Sequence, residues 1–386
     1  MRLAVLRRSN PRRVLTSVVW NETLRLCANF GATLFATNPD PPIIFPIRVT
    51  NLRPWNPHSL REDLENLGIT DILSISDPDS EALEDARLRW DFFQTKRALD
   101  TLHGISLLLH KGMTREICEQ CGIPMSRGFW LENPASFSDD IYKLNGLVVV
   151  KPVNRWSTEG IEYCRPENLS QHMKSWRGPA VLEEFWSGEE VSVEVVCVRD
   201  TTSVIGWAVK GPTSPTSAPL LRLRYAGDKD APPMLADAAH AIADKVHYEG
   251  IMEVEFIVAS TGQWVLTEVN PRPSGVTPLL ARSLGYSSVA VAVSMFYGAP
   301  WVGSRAYHAC DFTLQDDEVM VSIRPLLDKE LEIHPSVDGY PPRCYLTARS
   351  YDTLLRRTLQ IEQATGIPLA NQLQDRKKAY ETIAHM

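Results

Sequence analysis

Hydrophobic positions change their rhythm along the chain. Over the first hundred residues, short apolar runs at 3–6, 14–20, 32–36 and 72–75 read as strands, and amphipathic stretches at 59–67 and 77–99 read as helices. Alternating strands and helices predict a parallel α/β unit. The middle is strand-rich, with strand patterns at 147–150, 180–184, 191–198, 202–209, 251–258 and 264–269. Helical patterns follow at 277–284 and 287–297, and the tail from Ala306 mixes strands with a helix over 351–365. Proline clusters at 38–42, 211–219 and 339–342 mark loops. The fold class this predicts is mixed α/β (α+β), with a first unit at 1–105 and a tail from Ala306.

Composition narrows the functional classes. Forty basic residues against 47 acidic ones give a net charge of −7, which argues against a nucleic-acid-binding surface. At 44% hydrophobic and 23% charged, the chain has a globular composition. No apolar run is long enough for a membrane span, and the N-terminal arginines precede no apolar stretch of the kind a secretory signal needs. The seven cysteines are odd in number and scattered, so a disulfide framework is not expected. Cys118-Glu-Gln-Cys121 lacks the second ligand pair of a zinc site and reads as ordinary thiols. These features predict a cytoplasmic protein. No Gly-x-Gly-x-x-Gly follows the first strand, which weakens any dinucleotide-binding reading.

The most informative segment is residues 251–270, two strand patterns around Thr261-Gly262. A tight turn there sets Glu255 opposite Glu268. Plain alternation puts Trp264, Leu266, Glu268 and Asn270 on one face. Like charges facing each other across a hairpin repel, and a divalent cation between them reverses that sign. Two carboxylates and an amide offer only oxygen, which suits Mg2+ or Mn2+ with phosphates completing the shell. A solvated acidic face is the plainer alternative. Pro271-Arg272-Pro273-Ser274-Gly275 then leads into a helix from near Thr277, whose open N–H groups suit an anion. Arg272 adds a bidentate fork for carboxylate or phosphate.

Other pieces precede this hairpin. A strand pattern ends in Lys151-Pro152 and is followed by a polar loop, 153–160, that could lie over phosphates or be a plain strand exit. Glu183-Glu184-Phe185-Trp186-Ser-Gly188-Glu189-Glu190 links two strands. It reads either as an adenine-binding link with ribose held by Glu190, or as an acidic turn. Lys111 sits at a helix N-terminus, where the dipole disfavours a cation unless an anion is bound. That helix closes at Gly122-Ile123-Pro124, and His110 beside it reads as structural.

In this order, from about Lys111 to Leu284, the pieces resemble the ATP-grasp superfamily, and within it the carboxylate–amine ligase branch of L-amino acid ligases, biotin carboxylase and carbamoyl-phosphate synthetase. The resemblance implies an ATP-grasp fold: a Rossmann-like pre-ATP-grasp domain at 1–105, a small lid subdomain at 106–185, a large subdomain with the metal site at 186–305, and a C-terminal subdomain at 306–386. It implies that Lys111, Lys151 and Thr158 contact ATP, that Glu183, Glu184 and Trp186 hold adenine, and that Glu190 holds ribose. Glu255, Glu268 and Asn270 would bind Mg2+ or Mn2+. Arg272 would stabilise the transferring phosphoryl group or the substrate carboxylate, Ser274 and Gly275 would line the substrate side, and Lys210 would stand near the reacting groups. One departure is the phosphate-covering loop, where Arg155 and Ser157 occupy glycine positions and only Gly160 remains. Glycine lets backbone approach phosphate closely.

The activity implied is an ATP-dependent ligase joining a small carboxylic acid, such as an amino acid, to an amine through an acyl phosphate. A carboxylase- or kinase-like enzyme and a non-catalytic nucleotide-binding regulator are the alternatives. The partners expected are small molecules, with a carrier protein and a homodimer left open, and no nucleic acid or membrane.

Overall fold

The computed structural model describes residues 2–6, 33–37, 49–52, 66, 71–74, 99–138, 143–154, 160–198, 201–217, 220–224, 230–297, 307–314, 317–334 and 341–386. The strand expected at 14–20 and nearly all of the helices expected at 59–67 and 77–99 lie outside them, as does Thr158. Strands β1 (Arg2–Leu6), β2 (Thr33–Thr37), β3 (Val49–Leu52) and β4 (Asp71–Ser74) form an all-parallel sheet ordered β3-β2-β1-β4. This is the parallel unit that strand–helix alternation predicts.

Helices α1 (Leu99–Leu109) and α2 (Lys111–Gln120) lead into β5 (Gly128–Leu131), β6 (Val148–Pro152), β7 (Glu162–Cys164), α3 (Pro166–Ser175) and β8 (Ala180–Glu184). The four strands make an antiparallel sheet ordered β5-β8-β6-β7. Val148, Val150, Ala180 and Leu182 pack with Leu169 and Met173 of α3. The two-residue period then puts Lys151 and Glu183 on the opposite face.

The remaining elements are β9 (Glu189–Val198), β10 (Thr201–Pro212), β11 (Leu221–Arg224), α4 (Pro233–Lys245), β12 (Gly250–Val258), β13 (Trp264–Asn270), α5 (Thr277–Leu284), α6 (Ser288–Tyr297), β14 (His308–Thr313), α7 (Asp317–Ile323), β15 (Leu331–His334), β16 (Arg343–Ala348), α8 (Tyr351–Thr365) and α9 (Ala370–Ala384). Their strands form one eight-stranded sheet ordered β13-β12-β9-β10-β11-β14-β16-β15. The described strands of 306–386, β14 to β16, extend the sheet begun by β9 to β13.

One face of this sheet is largely apolar. Val191, Val193, Trp207, Val254 and Phe256 pack against α1, α2, α4 and α9, and Leu221, Leu223, Cys310, Phe312 and Leu346 against α8 and α9. The other face is divided. At one end Val196, Val198, Ile205 and Ile251 lie under Leu279, Leu280, Leu284 of α5 and Val289, Val291 of α6. At the other end the same face carries charged residues, and this is where the candidate site lies. Among the described residues no helix is long and apolar enough to cross a membrane. Every described cysteine is a free thiol, Cys118 and Cys121 included.

Candidate functional site

The hairpin β12–β13 builds the centre. Its turn puts Gly262 at φ +85, where its N–H donates to Ala259 O at 2.9 Å. Glu255 faces Glu268 as the turn predicts, and Glu253 faces Asn270. The expected shared face of Trp264, Leu266, Glu268 and Asn270 is corrected by a bulge: Glu255 pairs with Glu268 but Phe256 with Leu266, leaving Thr267 extra. One extra residue inverts the alternation. Trp264 and Leu266 pack with Phe256 in the core, while Glu268 and Asn270 join Glu253 and Glu255 on the polar face. The Thr267 hydroxyl donates to Glu255 O at 3.2 Å and closes the bulge.

Lysines answer both carboxylates. Lys210, from the end of β10, donates to Glu255 Oε2 at 2.8 Å and lies 3.9 Å from Glu190 Oε2. Burial works against its charge, yet Glu255, Glu253 and Glu190 together hold its pKa above the ordinary lysine value. Burial pushes Glu255 up, offset in part by Lys210 and reinforced by Glu253. Burial likewise raises Glu190 against the pull of Lys210. Lys111 reaches Glu268 Oε1 at 2.9 Å from the first turn of α2. There His110 caps the helix, its Nδ1 accepting from Met113 N at 3.1 Å, so its role is structural as expected. A Cβ on Gly112 would stand 2.6 Å from the Trp130 ring, so only glycine allows α2 to start this close to β5.

Lys151 and Glu183 pair on the free face of the smaller sheet. The second oxygen of Glu183 lies 3.5 Å from Arg115 Nη1, and Arg115 Nη2 donates to Ser126 O. Burial opposes the Lys151 charge, but Glu183 keeps its pKa raised. Glu184 points the other way, accepting from Asn145 N at 2.7 Å. Its backbone N–H donates to Arg127 O at 2.8 Å, and its carbonyl accepts from Ser126 Oγ. Phe185 meets Tyr163 edge-on at 6.0 Å, and Trp186 follows, half-buried. The glycine of this link has a steric cause: a Cβ on Gly188 would stand 2.4 Å from Val258 O.

Downstream, the buried Arg272 donates to Pro273 O at 3.1 Å and to Asn270 Oδ1 at 3.2 Å. Asn270 Nδ2 donates to Glu253 at 3.0 Å and Glu255 at 3.3 Å. Arg272 thus orients the amide beside the carboxylates. Ser274 shapes the turn into α5, its N–H donating to Thr277 Oγ1 at 2.8 Å and its hydroxyl accepting from Val276 N at 3.2 Å. Gly275 beside it is half-buried.

Lys111, Lys210, Glu190, Glu255, Glu268 and Asn270 are therefore linked by short contacts around the hairpin, with Lys151 and Glu183 facing them from the smaller sheet. Sequence reasoning missed Glu253, Arg115 and Tyr163. The period of two from Glu255 and the turn of helix from Lys111 were signals for the first two. Among the described residues no three or more His, Cys, Asp or Glu side chains converge on one point as a complete metal cage. An all-oxygen pair with an amide fits instead a Mg2+ ion that retains phosphate ligands. Glu255, Glu268 and the Asn270 amide oxygen would hold such an ion, which would neutralise charge on a bound phosphate.

No family model matches the chain. A curated relative, the formate-dependent phosphoribosylglycinamide formyltransferase of Cronobacter sakazakii, is 27% identical over 230 residues, which is 55% of this chain and 57% of that protein. The chain thus aligns to little more than half of that relative's length. Among solved structures, the L-amino acid ligase of Bacillus licheniformis superposes with a TM-score of 0.69 at 14% identity, covering 94% of this chain and 97% of that one. The biotin carboxylase domain of the Hydrogenobacter thermophilus 2-oxoglutarate carboxylase, solved with MgADP, ADP and bicarbonate, gives 0.71 at 14% identity over 98% and 95%.

Proposed function

From the ATP-grasp fold that these superpositions establish, we propose that the chain is an ATP-dependent, ADP-forming carboxylate–amine ligase acting on an amino acid or similar small acid. The observation that carries the reading is the facing pair Glu255 and Glu268, each closed by a lysine, with Asn270 alongside. A carboxylate pair held between two lysines can exchange those cations for a metal ion. Lys111 and Lys151 take the ATP phosphates, Glu190 takes the ribose, and the link Glu183–Trp186 takes adenine, while Glu255, Glu268 and Asn270 take Mg2+. The metal supplies charge neutralisation for the transferring phosphoryl group.

Lys210 stands between Glu190 and Glu255 and is placed to meet the acid whose oxygen receives the phosphoryl group. Arg272 acts by holding Asn270 in place. An amine then attacks the acyl carbon of the acyl phosphate, and the amide forms as free phosphate and the amine proton leave. Positioning and fixed charge do most of this work. Small-molecule acid and amine are the partners on this reading.

Hydroxylamine trapping tests it. The full chain is incubated with ATP, Mg2+, hydroxylamine and pools of small acids, and both ADP and hydroxamate are measured. Hydroxamate with one pool supports the ligase. ADP without hydroxamate turns the reading to a kinase- or carboxylase-like reaction, and ATP binding without ADP turns it to a regulator.

A further inference from the structure

The polar end of the eight-stranded sheet carries a second charged cluster that the steps above leave unused. Arg222 Nε donates to Asp311 Oδ1 at 2.7 Å, and its Nη2 to Oδ2. Arg343 Nη1 donates to Asp311 Oδ2 at 3.1 Å, and its Nη2 to Thr313 Oγ1 at 2.9 Å. Asp311 is fully buried, whereas the Arg343 side chain is 26% exposed. Arg222 and Asp311 are register partners, as are Asp311 and Tyr345.

The cluster shares a face with the proposed site. Val209 pairs with Leu223, so Lys210 and Arg222 occupy the next step on neighbouring strands, with their apolar neighbours turned to the opposite core. Arg222 also lies within electrostatic reach of Glu253. Neighbouring strands are about 4.8 Å apart. From Lys210 the guanidinium of Arg222 is one strand away, and the strand of Arg343 is three away.

Two guanidiniums share one carboxylate there. Among the described residues the other acids on this face have partners of their own: Glu332 holds Arg282, Glu268 holds Lys111, Glu190 and Glu255 hold Lys210, Glu253 accepts from Asn270 at 3.0 Å, and Glu194 accepts from Thr277. Excess buried charge is costly unless an anion answers it. Burial and then the like charge of Arg222 hold the Arg343 pKa below the ordinary arginine value, against the pull of Asp311.

We infer that Arg222 and Arg343, braced by Asp311, receive a carboxylate of the substrate pair other than the one that is phosphorylated. The inference rests on the ligase reading and narrows its substrates. Either the acid is a short dicarboxylate, or the amine is an amino acid presenting its own carboxylate. Asp311 is a positioning residue that holds the two planar forks toward a common ligand.

Thermal melts of the full chain test this without turnover. The ligands are malonate, succinate, glutarate, glycine and alanine, with butyrate and ethylamine as analogues lacking the second carboxylate, and Mg-ATP as reference. At least one carboxylate-bearing probe should raise Tm where its analogue does not. The Arg343→Gln variant should weaken that probe at least tenfold while keeping the Mg-ATP shift, and Arg343→Lys should weaken it less. Arg343→Gln retains the Arg222–Asp311 pair, so the fold keeps its buried partner. Stabilisation by a dicarboxylate places the group on the acid, and by glycine or alanine on the amine. Equal shifts from probes and analogues, no shift from any probe, or a shift untouched by Arg343→Gln would overturn the inference. A probe that binds through Arg343 while no acid supports ADP release would overturn the ligase reading and leave the anion site standing. ADP release with butyrate and no probe binding would do the reverse.

Discussion

Glu268 faces Glu255 across the hairpin and holds Lys111 at 2.9 Å. Replacing it by Gln keeps the shape and removes one charge from the proposed metal pair. Glu268→Gln is expected to lower kcat for ADP release by about 10²–10³-fold, the scale of losing one preorganised electrostatic partner, with little change in Tm. A coupled ADP assay alongside a melting curve checks both. Protonation should act on the same group of residues. Glu255 and Glu190 have raised pKa values, burial being the largest cause for each. A carboxyl raised on folding favours the protonated folded state. These two groups therefore oppose folding at neutral pH, and that opposition fades as pH falls from their folded values toward the ordinary value of about 4.3. The ionised Glu255 of the proposed metal site is lost over the same window. The acid limb of kcat/KM for Mg-ATP is expected above the ordinary carboxylate range, and Glu190→Gln should alter its shape. A limb at or below about 4.3 would contradict the buried geometry.

The bulge in β13 decides which side chains reach the site. Deleting Thr267 restores strict alternation, so either Trp264 and Leu266 or Glu268 and Asn270 must turn to the wrong face. The deletion is expected to destabilise the fold by more than about 3 kcal/mol, as burial of unpaired charge does. Thr267→Val keeps the extra residue and loses one hydrogen bond, which costs about 1 kcal/mol. Urea titrations of both variants separate the two effects. This element also marks where the sequence was legible. Turn residues around Gly262 gave the Glu255–Glu268 pairing, because hairpin register is local. The bulge was hidden because it exists only in the pairing with β12. Helix α4 was legible in principle, since Leu235, Ala238, Ala239, Ile242 and Ala243 follow the helical period and are buried. Helix α9 was harder, because the charged Arg376 occupies a buried position on its inner face. The cluster of Arg222, Asp311 and Arg343 had no local signal, being assembled from three strands far apart in sequence.

At the scale of the whole molecule, the eight-stranded sheet has a thin seam. Strands β9, β10, β12 and β13 carry the proposed nucleotide and metal residues, and β11, β14 and β16 carry the proposed anion cluster. Among the described residues the two groups are joined through one register pair, Val209 with Leu223. Helix α9 lies across that seam. Tyr380 stacks on Trp207 of β10 with ring centroids 3.8 Å apart, and its hydroxyl accepts from Arg224 of β11. Arg376 holds Glu189 beside the proposed ribose residue. Leu373 packs in one core cluster, and Tyr380 and Ile383 in the other. Tyr380→Ala removes a fully buried ring and is expected to cost about 3–5 kcal/mol. Tyr380→Phe removes only the hydroxyl that Arg224 reaches and should cost about 1–3 kcal/mol. Because the loss falls on the seam, it should be uneven. Hydrogen exchange in Tyr380→Ala is expected to quicken in β11 and β14 while β9 and β12 stay protected, and KM for the acid or amine should rise more than KM for ATP. Uniform loss of protection with equal changes in both KM values would mean that α9 supports the sheet as a single body, and that the two halves of the site are not separately anchored.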